Sequence, residues 1–413
     1  QRNGIDYGDP GAVSLTGGSA QTGAGYIGIA IDMDNSKIWY TDLSGNYFNS
    51  GNPATGANAA YDFSSTRAAN GATPFIYFAT ASGDTGSVNF GQQPFNHTQP
   101  TGFKSICSAN LADPSIKLPN KHFGTLLYSS GSSNGTFNFT DSSSVDFLPD
   151  WTWIKCRSAG ERHRVIDVVR GNQNVTGDFL LPDGNDNETV SGVDGTTVSS
   201  IQNGIKIVET TIGSGEIYFT NRDYVTWNWK AGGSASSNSD GSITASVSAN
   251  ATAGFSIVGY TGNGASSATI GHGLGVAPKA FVVKSRDQAR GWNFYHHIIG
   301  NTKYIHLQQN HTPITNSDWW NDTSPTSSVF TVGTDNDVND SSQDYIAYCF
   351  SEVEGYSKFE SYTGSGSNNG TFVYTGFRPA FLIIKKTSGT GNWAINDIER
   401  DNNTEYGNDA SIY

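Results

Sequence analysis

The chain has 413 residues, a length that suggests two to four domains at about 150 residues each. Charged residues make up 15% and aromatic residues 12%, with 49 glycines, so a disordered chain is excluded and a folded, turn-rich one is favoured. The net charge of −13 comes without a basic stripe, which argues against nucleic acid, and no apolar run approaches the roughly 18 residues of a membrane span.

Cys107, Cys156 and Cys349 are odd in number and widely spaced, which fits free thiols and neither a disulfide framework nor a metal site. The only methionine is Met33, so the sequence reads as a processed product or a window cut from a longer chain. In chain order, Gly25–Tyr47 predicts two strands around the turn Asp34-Asn35-Ser36, and Pro74–Phe95 predicts two more. The succession IGIAIDMDNSKIWY, PFIYF and VNFGQQPF resembles the SPRY family, which implies a concanavalin-like β-sandwich over residues 1–95 whose first strands are incomplete. Residues 96–122 carry several prolines and read as a connector.

The rest of the chain repeats itself, and a repeat decides the fold. PDWTWIKCRSAGERHRVIDVVRG from Pro149, PKAFVVKSRDQARGWNFYHHIIG from Pro278 and PAFLIIKKTSGTGNWAINDIERD from Pro379 align without gaps. Each copy places a Lys six positions after its proline (Lys155, Lys284, Lys385), and Trp292 and Trp393 fall where the first copy has His163. Phe123, Phe255 and Phe359 open the three copies, and DYVTWNW from Asp223 matches DYIAYCF from Asp344 as a closing strand. The third copy stops about halfway, with no such strand. The expected modules are therefore repeat 1 over 123–233, a linker over 234–252, repeat 2 over 253–356 and a partial repeat 3 over 357–413.

Short apolar runs bounded by Pro and Gly are strand signatures, and helical periodicity is almost absent. In VTWNW the alternation puts Val225, Trp227 and Trp229 on one face, and Tyr224, Thr226 and Asn228 on the other. The fold class is all-β: a SPRY-like sandwich followed by tandem jelly-roll-like sandwiches. This order of parts resembles virion-associated proteins of bacteriophages, particularly tail-fibre or receptor-binding components. That resemblance implies a non-enzymatic recognition protein at a virion surface or extracellular appendage. The partners that the resemblance implies are copies of itself in a homo-oligomer such as a trimer, other virion proteins and a host-surface glycan or protein receptor. A cellular adhesin or surface-layer protein is the alternative, and a glycan depolymerase the second.

Trp151 and Trp153 align with Ala280 and Val282, and Trp227 and Trp229 with Tyr348 and Phe350, as expected of positions that fill a sandwich core. Trp319 and Trp320 differ, because they sit in the polar segment HTPITNSDWWNDTSPT with no counterpart in the first copy. Read as extended chain, it would point one indole inward and expose the other beside Asp318, Asn321 and Asp322, a candidate glycan contact. The repeated lysines read as solvent-facing strand ends that discourage edge pairing. No cofactor is expected, although the acidic loops at Asp32–Asn35, Asp183–Asn187 and Asp335–Asp340 are candidates for calcium. No G-x-S-x-G elbow, paired-carboxylate strand or zinc spacing is present, so no catalytic or metal residue is assigned. His306 and His311 lack further ligands at zinc-motif spacing.

Overall fold

The computed structural model describes residues 26–64, 88–106, 110, 114–171, 175–176, 179–188, 196–210, 217–218, 220–367, 370–400 and 410–412. It divides into two compact units, 1–113 and 114–413. The expected connector 96–122 is thus shared between them, and Ile116 is already part of the second unit's buried set.

In the first unit, β1 (Ile29–Asp32), β2 (Lys37–Tyr40) and β3 (Tyr61–Asp62) form an antiparallel sheet in that order. The Asp32 carboxylate accepts the Asn35 amide N–H at 2.9 Å and its side-chain amide at 2.8 Å, which closes the predicted turn. Trp39 is fully buried and donates its indole N–H to Ala57 O at 2.9 Å. Of the second expected strand pair, residues 74–87 lie outside the described residues. Val88–Phe95 forms no strand, because the Asn89 and Gln92 side chains bond the local backbone, as Asn89 Oδ1 does with the Gly91 N–H at 2.9 Å.

The second unit is built from the repeats. Module 1 contains β4 (Phe123–Ser129), β5 (Gly135–Thr140), β6 (Trp151–Cys156), β7 (Arg164–Asp167), β8 (Val175–Thr176), β9 (Thr196–Ile201), β10 (Gly204–Glu209) and β11 (Asp223–Trp229). Its two sheets run β4-β11-β6-β7 and β5-β10-β9-β8, and a buried cluster including Tyr128, Ile154, Ile205 and Tyr224 lies between them. Cys156 belongs to that cluster as a free, buried thiol.

Module 2 contains β12 (Ser236–Asn238), β13 (Ala245–Asn250), β14 (Phe255–Thr261), β15 (Ala268–Gly271), β16 (Ala280–Ser285), β17 (Trp292–His296), β18 (Lys303–His306), β19 (Ile314–Thr315), β20 (Val329–Val332) and β21 (Asp344–Phe350). The large sheet runs β12-β13-β14-β21-β16-β17-β18-β19, faced by the pair β15-β20. Residues 234–252 are therefore not a linker. Ala245 and Val247 alternate inward, and their strand pairs with β14, so this segment completes the sandwich. Module 3 supplies β22 (Phe381–Lys385), β23 (Trp393–Asp397) and β24 (Ala410–Ile412), in that sheet order.

The face of β11 that carries Val225, Trp227 and Trp229 does not look into its own sandwich. With Trp151 and Trp153 it joins Phe255, Ile257, Val282, Ile346 and Tyr348 of module 2 and Trp393 and Ile395 of module 3 in one shared core. The expected burial of these tryptophans stands, but the core they fill is the junction of three modules. Each central sheet is thus covered on both faces, and β16 has all six residues buried.

Equivalent hydrogen bonds fasten the modules in a cycle. Trp292 of module 2 donates to Leu181 O of module 1 at 2.8 Å, and Trp393 of module 3 donates to His306 O of module 2 at 3.1 Å. Tyr348 OH of module 2 donates to Asp167 of module 1 at 2.7 Å. Trp227 of module 1, which aligns with Tyr348, donates to Asp397 of module 3 at 2.9 Å. The acceptors Asp167 and Asp397 align with each other, and each is held by an Arg three residues on. Where His163 stands in place of the tryptophan, its ring accepts from Trp153 at 2.9 Å inside module 1.

Candidate functional site

The repeated lysines come first, because one of them builds the site. Each folds back over its hairpin and donates to the carbonyl six residues on: Lys155 to Glu161, Lys284 to Arg290 and Lys385 to Gly391. This corrects the expectation of solvent-facing strand ends. Lys284 is completely buried and also reaches Asn185 O at 3.3 Å, and burial lowers its pKa to about 7. An ammonium in that position needs carbonyls, which the hairpin turn supplies.

The clasp on its carbonyl sets Arg290 at the rim of a polar cleft of about 450 Å³, lined by Arg290, Tyr304, His306, Asp318, Trp319, Asp335 and Asp337 among others. Two one-turn helices shape one side, α1 (Ser317–Trp320) and α2 (Asn336–Asn339). Asn316 caps α1 by accepting the Asp318 N–H, and Asp335 caps α2 by accepting the Asp337 N–H. Gly333 donates to Trp319 O at 2.8 Å, and a Cβ added there would lie 2.2 Å from Asp318 O. Only glycine permits that approach, and it brings Asp318 and Asp335 together.

The helical turn also corrects the extended reading of the Trp pair. Trp320 is fully buried against Phe281 and Tyr295 in the module 2 core, and donates to Lys303 O at 3.0 Å. Trp319 is 7% exposed; its ring stacks on Tyr304 with centroids 3.8 Å apart, and its N–H is taken by Asn293 Oδ1 at 2.9 Å. Neither indole offers the free face that was expected. Asn321 caps α1 in the left-handed region and bonds Ser267, and the Asp322 carbonyl accepts from Asn301, so both are turn residues. Of the five predicted contacts, Asp318 and Trp319 line the cleft.

Sequence reasoning missed Arg290, Tyr304, His306, Asp335 and Asp337 as one group. Its signals were separate: a histidine pair and an acidic loop, each weighed for a metal and not for a shared wall. Arg290 Nη1 lies 3.6 Å from Asp337 Oδ1, and its other nitrogens donate to Gln288 Oε1 at 3.0 and 3.1 Å. His306 shares a 3.0 Å hydrogen bond with His311 and lies 3.9 Å from Asp337 Oδ2. Burial, then the neighbouring His311, lowers the His306 pKa to about 4, so the ring is neutral. Burial raises the Asp335 carboxyl and, helped by Asp335 and Asp337, raises the Tyr304 hydroxyl to about 12. The wall therefore offers a guanidinium, carboxylates and a phenol that keeps its proton, over the buried Tyr304–Trp319 stack.

The calcium candidates have protein partners instead. Asp183 and Asp186 engage Arg162, Asn185 bonds Gln308, and Asn339 donates to Ala265 O and Gly333 O. Among the described residues no group of three or more His, Cys, Asp or Glu side chains is arranged to hold a metal ion.

Residues 118–412 match the model of a domain of unknown function, DUF7483. The chain belongs to the DUF7483 family. The DUF7483 match takes in all three modules and begins at Leu118, close to the border between the two units. No curated protein and no solved structure matches the chain significantly.

Proposed function

We propose that this protein is a non-enzymatic structural and recognition component of a phage tail fibre or comparable appendage, and that its module 2 cleft binds a host-surface glycan. The observation that carries the reading is the cleft, which brings Arg290, Asp318 and Asp337 together around the buried Tyr304–Trp319 stack. Polyhydroxylated ligands are recognised by such converging charged hydrogen-bonding groups. The shared core supports it physically, since a rigid junction holds polar loops in fixed positions, and binding residues concentrate on such loops. Self-association, other virion proteins as partners and a virion-surface location belong to the same proposal.

The test is binding of the purified chain to a glycan array, beside Arg290→Ala and Asp318→Ala. Selective binding that both variants weaken tenfold or more supports the reading; no binding, or binding the variants leave intact, refutes it. The depolymerase alternative rests on the raised pKa of Asp335 beside Asp337. It predicts a fall in polysaccharide chain length on incubation, which a binder does not cause.

A further inference from the structure

Asp337, in the wall of the module 2 cleft, has a side chain only 16% exposed, yet it is satisfied unlike the other buried carboxylates of the second unit. Asp150 accepts the Ala231 and Gly233 N–H groups, and Glu188 holds Arg170 on one oxygen and Arg286 on the other. Asp167 accepts the Val169 and Arg170 amides and the Tyr348 hydroxyl. Among the described residues Asp337 has no such donor: Arg290 Nη1 stays 3.6 Å away and His306 Nε2 3.9 Å. A carboxylate largely removed from water without hydrogen bonds is costly, and a ligand that donates to it recovers that cost.

The histidine pair explains why no donor comes from its side. His311 Nδ1 lies 2.6 Å from the Thr312 carbonyl, which can only accept, so Nδ1 carries the proton. With both rings neutral, His311 Nε2 then accepts from His306 Nδ1, and His306 Nε2 is left as a lone pair 3.9 Å from Asp337 Oδ2. That nitrogen is buried and has no hydrogen-bond partner among the described residues. The ring therefore brings neither a proton nor a positive charge to the carboxylate.

The rest of the lining adds to the imbalance. Asp318 and Asp335 share the cleft with Asp337, so three carboxyl groups meet one guanidinium. Burial raises the Asp335 pKa, and the charges of Asp337 and Asp318 raise it further, as expected of like charges that lack a counter-ion. Lys284 is the other cation near Asp337, but its ammonium is held by backbone carbonyls behind Arg290. We infer that the cleft selects glycans carrying a free, protonated amino group, set against Asp337, Asp318 and Asp335, and rejects glycans whose substituents are carboxylates or phosphates. This rests on the glycan reading above and narrows it. An ammonium supplies three N–H donors together with the missing positive charge; a hydroxyl supplies one donor and no charge, and an acetamide has lost the charge.

The probes are glucosamine and galactosamine trimers, their N-acetylated counterparts and trigalacturonate, each titrated into the full 413-residue chain by calorimetry at low and high salt. The free amines should bind saturably, at least tenfold tighter than the acetylated trimers, and more weakly as salt rises. Asp337→Asn, checked by an unchanged thermal transition, should cost at least tenfold toward the amines and leave the acetylated trimers within about threefold. Asp322→Asn, in an exposed turn outside the cleft, should change neither. Equal weakening by Asp322→Asn overturns the proposal, because the amines would then be drawn by the net charge of −13 and not by the cleft. So does no binding of the amines, equal or tighter binding of the acetylated or uronate trimers, or calcium alone binding the wild type but not Asp337→Asn. In those cases, array glycans without amines that still depend on Arg290 and Asp318 would leave the glycan reading standing, whereas a blank array removes both.

Discussion

Lys284→Met tests whether the clasp that positions Arg290 is an ammonium held in a dry site. In the folded chain the group has a pKa of about 7, against about 10.5 when unfolded. Between those values the unfolded chain binds one more proton than the folded one, so stability rises with pH by about 1.4 kcal/mol per unit. From pH 7 to pH 9.5 the wild type should gain about 3 kcal/mol relative to Lys284→Met, which has nothing to titrate there. Groups common to both proteins cancel in the difference. At pH 7 the variant also leaves the Arg290 carbonyl without its donor, at about 1–3 kcal/mol, so the two proteins should be closest there and diverge upward. Urea unfolding of both proteins at pH 7, 8.5 and 9.5 reads the difference. Parallel stabilities across that range would show that Lys284 is solvated, and the clasp argument would fall.

Trp320→Ala should cost about 3–5 kcal/mol in urea unfolding, and Asp322→Ala less than about 0.5 kcal/mol, since one fills a core and the other a turn. Tyr348→Phe should cost about 1–3 kcal/mol by removing the buried donor to Asp167, and pairing it with Asp167→Asn in a double-mutant cycle should reveal coupling. His306 is neutral when folded, with a pKa of about 4 against about 6.5 unfolded, so its stability is present above pH 6.5 and lost as pH falls through 4. The wild type should lose up to about 3 kcal/mol over that window relative to His306→Gln, which thermal unfolding at pH 4 and 7 would check. Gly333→Ala should destabilise by about 1–3 kcal/mol and weaken glycan binding together, measured by calorimetry and by the array.

The strands of the repeats were legible because period-2 alternation bounded by Pro and Gly is a local signal, and β6, β16 and β22 begin within two residues of the aligned prolines. Their faces were legible too, since alternation separated Trp227 from Tyr224 correctly. What each face touches was not, because strands buried on both sides give no polar face to mark the outside. The linker at 234–252 was misread because SSN and ASVSAN are small and polar, and the pairing of SSN with ASVSAN and of ASVSAN with β14 is visible only in three dimensions. The Trp pair was misread because one helical turn leaves almost no periodicity to find. Arg290 and Asp337 are brought together by a buried lysine and a glycine, neither of which announces a site in sequence.

The cycle of contacts has a consequence for synthesis. The bond from Trp227 to Asp397 spans 170 residues, and the bond from Tyr348 to Asp167 spans 181. At about 5–20 residues per second, Trp227 leaves the ribosome roughly 10–30 s before its partner exists. Until module 2 and then module 3 are made, module 1 carries Trp151, Trp153, Trp227 and Trp229 on an incompletely covered sheet face, the kind of surface that recruits chaperones or aggregates. Module 1 expressed alone should therefore be the least soluble portion of the second unit, although its own sandwich core is complete.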